Sequence, residues 1–240
     1  MQRFLQTFLS HNTTMKKNDS LKKHAFAVIA TDIVIFTVRD NVLQVLLIKM
    51  KKKPFAGKWA MPGGLIRPNE PLLTAAKRLL REKGGISGAH LEQLYTFGRV
   101  DRDPLGRVVS VGYTALLPSD AMLLKTTSEY GDIAWFPIKK VPSLAYDHND
   151  ILTTGLARLR AKLEYTTIVK NLLPKEFTLT ELQHIYEVVL GKKLDKRNFR
   201  KKLLALDLLK KTGKRRGGAS NRPAELYTFI AKDEKTIDIL

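Results

Sequence analysis

Two runs of β-branched and leucine residues open the patterned part of the chain. AFAVIATDIVIF (25–36) and VLQVLLIKM (42–50) are separated by Arg39, Asp40 and Asn41, a turn-like cluster that predicts an antiparallel hairpin. A loop rich in glycine and proline, 53–68, follows. From Pro71 to Lys83 the apolar residues Leu72, Ala76, Leu79 and Leu80 fall at i, i+4, i+7 and i+8, which predicts an amphipathic helix ended by Gly84 and Gly85. LEQLYTFGRV (91–100), RVVSVGYTALL (107–117) and DIAWFPI (132–138) read as further strands, with turns at Pro104-Leu105-Gly106 and Pro118-Ser119-Asp120. Sheet, helix, then more sheet predicts an α+β domain to about residue 145.

The pattern then becomes helical. Ile151, Leu152, Leu156, Leu159 and Leu163 predict a helix over 149–163 that joins two halves of the chain. Thr180–Leu190 and Asp195–Leu206 read as two short helices split by Gly191, and the strand-like pieces LDLLKKTG (206–213) and AELYTFI (224–230) flank a basic loop, 214–223. Helix, turn, helix, strand, basic loop, strand is the order of a winged helix. The division expected is a disordered tail over 1–23, an α+β domain over 24–147, a linker helix over 148–164 and a winged-helix domain over 165–240. Met15, followed by Lys16 and Lys17, reads as an alternative start that would leave residues 1–14 outside the native protein.

Composition narrows the chemistry. With 240 residues, 44% hydrophobic and 27% charged, the chain can bury one large or two modest cores. The absence of cysteine removes disulfides, thiolate zinc sites and cysteine nucleophiles. The longest apolar stretch, Ala25–Phe36, is broken by Asp32 and falls short of the roughly 20 residues a membrane span needs. With no signal-peptide pattern at the N-terminus, a cytoplasmic protein is expected. The five histidines show no ligand spacing, so neither a metal nor a cofactor is expected, and His148 reads as a structural cap or interface residue. A net charge of +19 favours polyanionic partners, and residues 192–222 concentrate it, with thirteen Lys or Arg against Asp195 and Asp207.

That patch coincides with the second short helix. Asp195 is a good N-cap, Phe199, Leu203 and Leu206 form an apolar stripe, and Lys196, Arg197, Arg200 and Lys201 fall on the opposite side. Arg197 and Asn198 suit guanine and adenine edges, and Lys214, Arg215 and Arg216 stand at the wing. The expected partner is double-stranded DNA.

The segment GKWAMPGGLIRPNEPLLTAAKRLLREKGGI (57–86) resembles the Nudix hydrolase box, with Gly64, Glu70, Arg78, Leu80, Glu82, Gly85 and Ile86 at the family's offsets. Two of its three helix carboxylates are replaced, by Leu79 and Lys83. Those carboxylates converge on one helix face to hold magnesium, so no catalytic residue is expected here, and Glu82 is expected to pair with Arg78. The pocket can still bind. Arg99, Arg102 and Arg107 suit a phosphate, or are solvated beside Asp101 and Asp103. Trp59 could stack a base or sugar, or lie half-buried in the core. With Glu70 and Glu82 these four make the candidate effector-binding set.

The tail NLLPKEFTLTELQHIYEVVLGKKLDKRNFRKKL (171–203), with RDPLGRVVSVGYTAL (102–116), is similar to the Nudix-related transcriptional regulators of the NrtR family, close to its arabinose-responsive branch in Bacteroidetes. The resemblance covers about residues 24–230. It implies a Nudix-like mixed-sheet α/β/α sandwich followed by a winged helix, and a homodimeric repressor on a palindromic operator. The implied effector is ADP-ribose, a related nucleotide or nucleotide sugar, or a sugar. The alternative is an active hydrolase of a nucleoside-diphosphate sugar carrying a DNA-binding domain.

Overall fold

The computed structural model describes residues 26–118, 130–218, 221–231 and 233–237. The expected N-terminal tail and the Ser119-Asp120 part of one predicted turn lie outside them. Strands β1 (Val28–Arg39) and β2 (Val42–Met50) form the predicted hairpin. Asp40 and Asn41 both take positive φ, 51° and 61°, the two-residue turn whose twist suits adjoining strands.

The rest of the sheet builds on that pair. Strands β3 (Trp59–Ala60) and β4 (Gly63–Leu65) lie inside the segment read as loop. They are too short to show a period, and each pairs with a strand of the hairpin. β5 (His90–Phe97) and β6 (Val108–Leu116) form a second antiparallel pair, β6 runs parallel to β1, and β7 (Tyr130–Pro137) pairs with β2. The main path is β3-β2-β1-β6-β5, with β4 beside β1 and β7 beside β2.

Alternation along β1 divides the core. Ile33 and Ile35 face helix α1 (Leu72–Gly84) with Leu46, Ala76, Leu79 and Leu80. Val34, Phe36 and Val38 face the other side, where helix α2 (His148–Tyr165) contributes Ile151, Leu159 and Leu163. Helices cover both faces of a mixed sheet.

The second cluster continues without a break into the C-terminal half. Leu172, Phe177, Leu182, Tyr186, Phe199, Leu203 and Tyr227 belong to it. Helix α3 (Leu179–Leu190) starts at a capping box: the Thr178 hydroxyl accepts from Glu181 N–H, and the Glu181 carboxylate accepts from Thr178 N–H. Helix α4 (Lys196–Ala205) starts at Asp195, whose carboxylate accepts from Asn198 N–H at 2.7 Å. Strands β8 (Leu209–Gly218) and β9 (Asn221–Phe229) form the wing. Here the sequence expectation needs correcting: Lys214, Arg215 and Arg216 lie on β8, where Arg215 and Arg216 pair with Glu225 and Ala224. Cross-strand pairing extends the ladder through residues whose polarity reads as loop.

Candidate functional site

The Nudix-like helix is built as structure. Leu79 is 2% exposed and packs in the sheet core. Lys83 Nζ donates to the Gly63 carbonyl at 2.5 Å and lies 5.1 Å from the Tyr130 ring centroid. Arg78 grips Glu70 with two hydrogen bonds, 2.6 and 2.7 Å, and makes the expected i,i+4 pair with Glu82 at 3.0 Å. Hydrogen bonding to Arg78 outweighs the cost of burial and, with the Arg67 N–H, holds the Glu70 carboxyl down at about 2. Glu70 and Glu82 were candidates for effector binding; both are engaged by Arg78 instead.

A cleft of about 520 Å³ lies at the start of helix α2, lined by Phe55, Arg99, Arg102, Tyr146, Asp147 and Asp150 among others. Its aromatic wall is Phe55 against Tyr146, with ring centroids 4.3 Å apart. Tyr146 holds φ 55°, the left-handed region that a bulky residue occupies only where its surroundings fix it. Burial, with the negative charges of Asp103 and Asp32, pushes its hydroxyl up to about 12.

Beneath the cleft lies a buried polar network. Arg102 makes two hydrogen bonds to Asp147, 2.7 and 2.9 Å, and one to Asp32 at 3.1 Å. The Ser110 hydroxyl donates to Asp32 at 2.6 Å, and His148 Nε2 lies 3.5 Å from the same carboxylate. His148 Nδ1 accepts from the Met61 N–H at 2.9 Å, so the proton of a neutral ring sits on Nε2, facing Asp32. Burial raises the Asp32 carboxyl, but His148, Ser110 and Arg102 together hold it well below the usual carboxylate range. His148 is not the cap expected of it: Asp147 holds the N-cap position, and the ring of His148 joins the Met61 backbone to Asp32.

The three arginines separate. Arg102 is 5% exposed and serves as the counter-ion of two aspartates. Arg107 donates to the Gly98 and Arg99 carbonyls and shapes the turn. Arg99 is exposed and bound to Asp101 at 2.9 Å, with Asp150 at 3.6 Å. Arg99 and Arg102 border the cleft, whereas Arg107 is not among its lining residues. Trp59 also falls outside that lining; it packs edge-on against Phe136 with centroids 4.7 Å apart. The sequence reading missed Phe55, Tyr146 and Asp147. Asp32 carried a signal, since a carboxylate inside an apolar strand must find a buried cation.

The DNA-binding candidates lie on helix α4 and strand β8. Lys196, Arg197, Asn198 and Lys201 are exposed on α4, while the half-buried Arg200 donates to the Thr180 hydroxyl at 2.8 Å. On the wing, Lys214 pairs with Glu176 at 2.9 Å and Arg216 pairs with Glu181, with Arg215 exposed between them. A positive helix start and a basic hairpin suit a phosphate backbone and the base edges between its strands.

Among the described residues one cluster has metal-ligand composition, His90 with Glu92 and Glu234. The Lys162 ammonium already bridges its two carboxylates, at 2.6 and 2.7 Å. No helix among the described residues is long and apolar enough to cross a membrane.

Known proteins show the same two-part division. The NUDIX domain signature matches residues 28–155, and the NrtR DNA-binding winged helix signature matches 169–229. A Nudix domain joined to a winged helix on one chain defines a class of transcriptional regulator. The chain belongs to the NrtR family. It is 38% identical over 207 residues to the ADPR responsive transcriptional repressor NtrR of Acinetobacter baylyi, covering 84% of this chain and 82% of that protein. The crystal structure of Shewanella oneidensis NrtR complexed with a 27mer DNA matches with a TM-score of 0.75 at 37% identity, over 84% of this chain and 93% of that one. The NUDIX domain of the same Shewanella protein complexed with ADP ribose matches with a TM-score of 0.52 at 31% identity, over 64% and 97% respectively.

Proposed function

We propose that this chain is an effector-responsive transcriptional repressor that binds ADP-ribose in the Phe55–Tyr146 cleft and releases its operator when it does so. The observation that carries the reading is the shared wall: Asp147 and Asp150, at the start of the helix leading to the winged helix, are the counter-ions of Arg102 and Arg99 at the cleft. A diphosphate entering there competes with those carboxylates for the arginines, so ligand and helix position are energetically linked. The aromatic pair suits a nucleobase.

Residues 24–147 form the effector unit of this reading, 148–164 its linker helix and 165–240 the DNA-reading unit. Lys196, Arg197, Asn198, Lys201 and Arg215 contact DNA directly, and Arg200, Lys214 and Arg216 contribute from their internal pairs. The protein acts in the cytoplasm as a homodimer on a palindromic operator. With Leu79 and Lys83 in place of carboxylates, the Nudix box holds no magnesium and does not hydrolyse pyrophosphate.

The test is a fluorescence titration of an operator duplex, recovered by in vitro selection with the full-length protein, in the presence of ADP-ribose or arabinose. ADP-ribose is expected to release the duplex without being consumed. Release by arabinose alone would place the chain in the arabinose-responsive branch of the family, and consumption of ADP-ribose with magnesium would restore the hydrolase reading.

A further inference from the structure

The far end of the linker helix carries a second ion-pair centre, remote from the cleft. Lys162, four residues from the last turn's end at Thr166, is 9% exposed. Its ammonium donates to Glu92 at 2.6 Å and lies 2.7 Å from Glu234. The two carboxylates come from different halves of the chain. Glu92 stands on β5 of the Nudix-like sheet, and Glu234 on the segment that follows the wing.

That segment is fastened to the end of the linker helix. Thr167 N–H donates to the Lys235 carbonyl at 3.0 Å, Lys235 N–H returns to the Thr167 hydroxyl at 2.9 Å, and Ile237 N–H donates to the Tyr165 carbonyl at 2.8 Å. The last part of the DNA-reading half therefore moves with the helix end, and Lys162 joins both to the sheet. His90 completes the setting, its Nε2 3.8 Å from each carboxylate.

We propose that Lys162 is a lock that holds the arrangement in which Arg99 and Arg102 are paired with Asp150 and Asp147, and that effector binding is opposed by it. This rests on the effector reading given above. The twelve residues from Asp150 to Lys162 span about 18 Å of helix. A ligand that takes Arg99 and Arg102 from Asp150 and Asp147 frees the helix at its N-terminal end. Displacing this rod by about 1 Å stretches the short contact from Lys162 to Glu92 on the sheet, because the tail that carries Glu234 moves with the helix end. The lock stabilises one of two arrangements without touching the ligand. Weakening it shifts the balance towards the other, and the ligand that prefers that other state gains apparent affinity.

The test uses the full-length protein with ADP-ribose as probe. Glu92→Gln is expected to tighten ADP-ribose binding by about fivefold in calorimetry and to lower, by a similar factor, the ADP-ribose needed to release the selected operator duplex. The double variant Lys162→Glu with Glu92→Lys, which again sets one ammonium between two carboxylates, is expected to return both values to those of the parent. A merely structural ion pair predicts the reverse, since damage to the fold cannot improve binding at a cleft about 18 Å away. Unchanged or weaker ADP-ribose binding in Glu92→Gln, or a double variant that behaves like the single one, overturns the lock. A parent protein that does not bind ADP-ribose overturns the effector reading and the lock with it, so the two failures are separable.

Discussion

Lys83 donates a hydrogen bond to the carbonyl of Gly63, closing the Nudix loop onto its own helix. In a hydrolase that helix position presents a carboxylate to magnesium. Here a fixed positive charge occupies it, and Leu79, one turn earlier, fills the neighbouring position with buried apolar surface. With ADP-ribose and magnesium, the parent protein should release no more product than a protein-free control. Restoring one carboxylate should be costly: Leu79→Glu is expected to lose at least about 2 kcal/mol in urea unfolding, because it removes a core side chain and buries a charge.

Acid should unfold the protein over a definite range. Asp32 and Glu70 are both held below their usual values, Glu70 at about 2. A carboxyl whose folded value is depressed stabilises the protein fully above its unfolded value, near 4, and loses that contribution as pH falls towards the folded value. Stability should therefore be flat from about pH 7 to 5 and fall between about 4.5 and 2. Urea midpoints at pH 5, 4 and 3 measure this, and Glu70→Gln should reduce the slope. A parent as stable at pH 3 as at pH 5 contradicts it.

Arg102 should matter to the fold before it meets any ligand. Its side chain is 3% exposed and balances Asp147 and Asp32. Arg102→Ala leaves two buried carboxylates without their cation, a change that costs about 3–5 kcal/mol. The expected result is a lower thermal midpoint before any ligand is added. Phe55→Ala, by contrast, should keep the fold and weaken ADP-ribose binding by about tenfold, in line with about 1–3 kcal/mol for a stacked base.

The elements that alternate or repeat were legible in the sequence, and the cleft was not. The β1–β2 hairpin, α1, α2, α3 and α4 follow from periodicity, and the Asp40-Asn41 turn from residue type. The missing carboxylates at 79 and 83 could be read directly, because they are fixed offsets on one helix. The arginines could not be sorted that way. Arg99, Arg102 and Arg107 look alike in sequence, and their different roles depend on Asp147 and Asp150, which lie more than forty residues away in the chain. Pairing at that distance leaves no local pattern. The wing was misread for a related reason: Lys214–Arg216 are polar enough for a loop, and β9 recruits them into a strand.

On the DNA-reading surface two substitutions should act differently. Arg197 is exposed at the start of α4, so Arg197→Ala is expected to cost about 1–3 kcal/mol of operator affinity and to relax the preference at one base pair. Lys214 lies on the wing strand and is held by Glu176, and a wing lysine is expected to meet the phosphate backbone. Lys214→Ala should weaken all sequences alike and reduce the slope of log K against log salt by about 1. Binding of a selected duplex at several salt concentrations separates the two. Full operator affinity in both variants would remove α4 and the wing from the interface.

The linker helix lies against the sheet at one glycine, and that contact makes its seating measurable. A Cβ at Gly155 would sit 3.2 Å from a methyl carbon of Val34 and 3.4 Å from two further Val34 carbons. Alanine in a helix interior gains about 1 kcal/mol over glycine. Val34, however, is fully buried and β-branched, so it can turn aside only by leaving its preferred rotamer, and overpacking of this kind costs about 1–3 kcal/mol. Crowding should win: Gly155→Ala is expected to destabilise the protein by about 1 kcal/mol in urea unfolding. The cause can be isolated by a double-mutant cycle. In a Val34→Ala background the obstructing methyls are gone, the helix gain remains, and the same Gly155→Ala change should become stabilising. A substitution equally harmful in both backgrounds would mean that α2 does not rest on β1 through this contact.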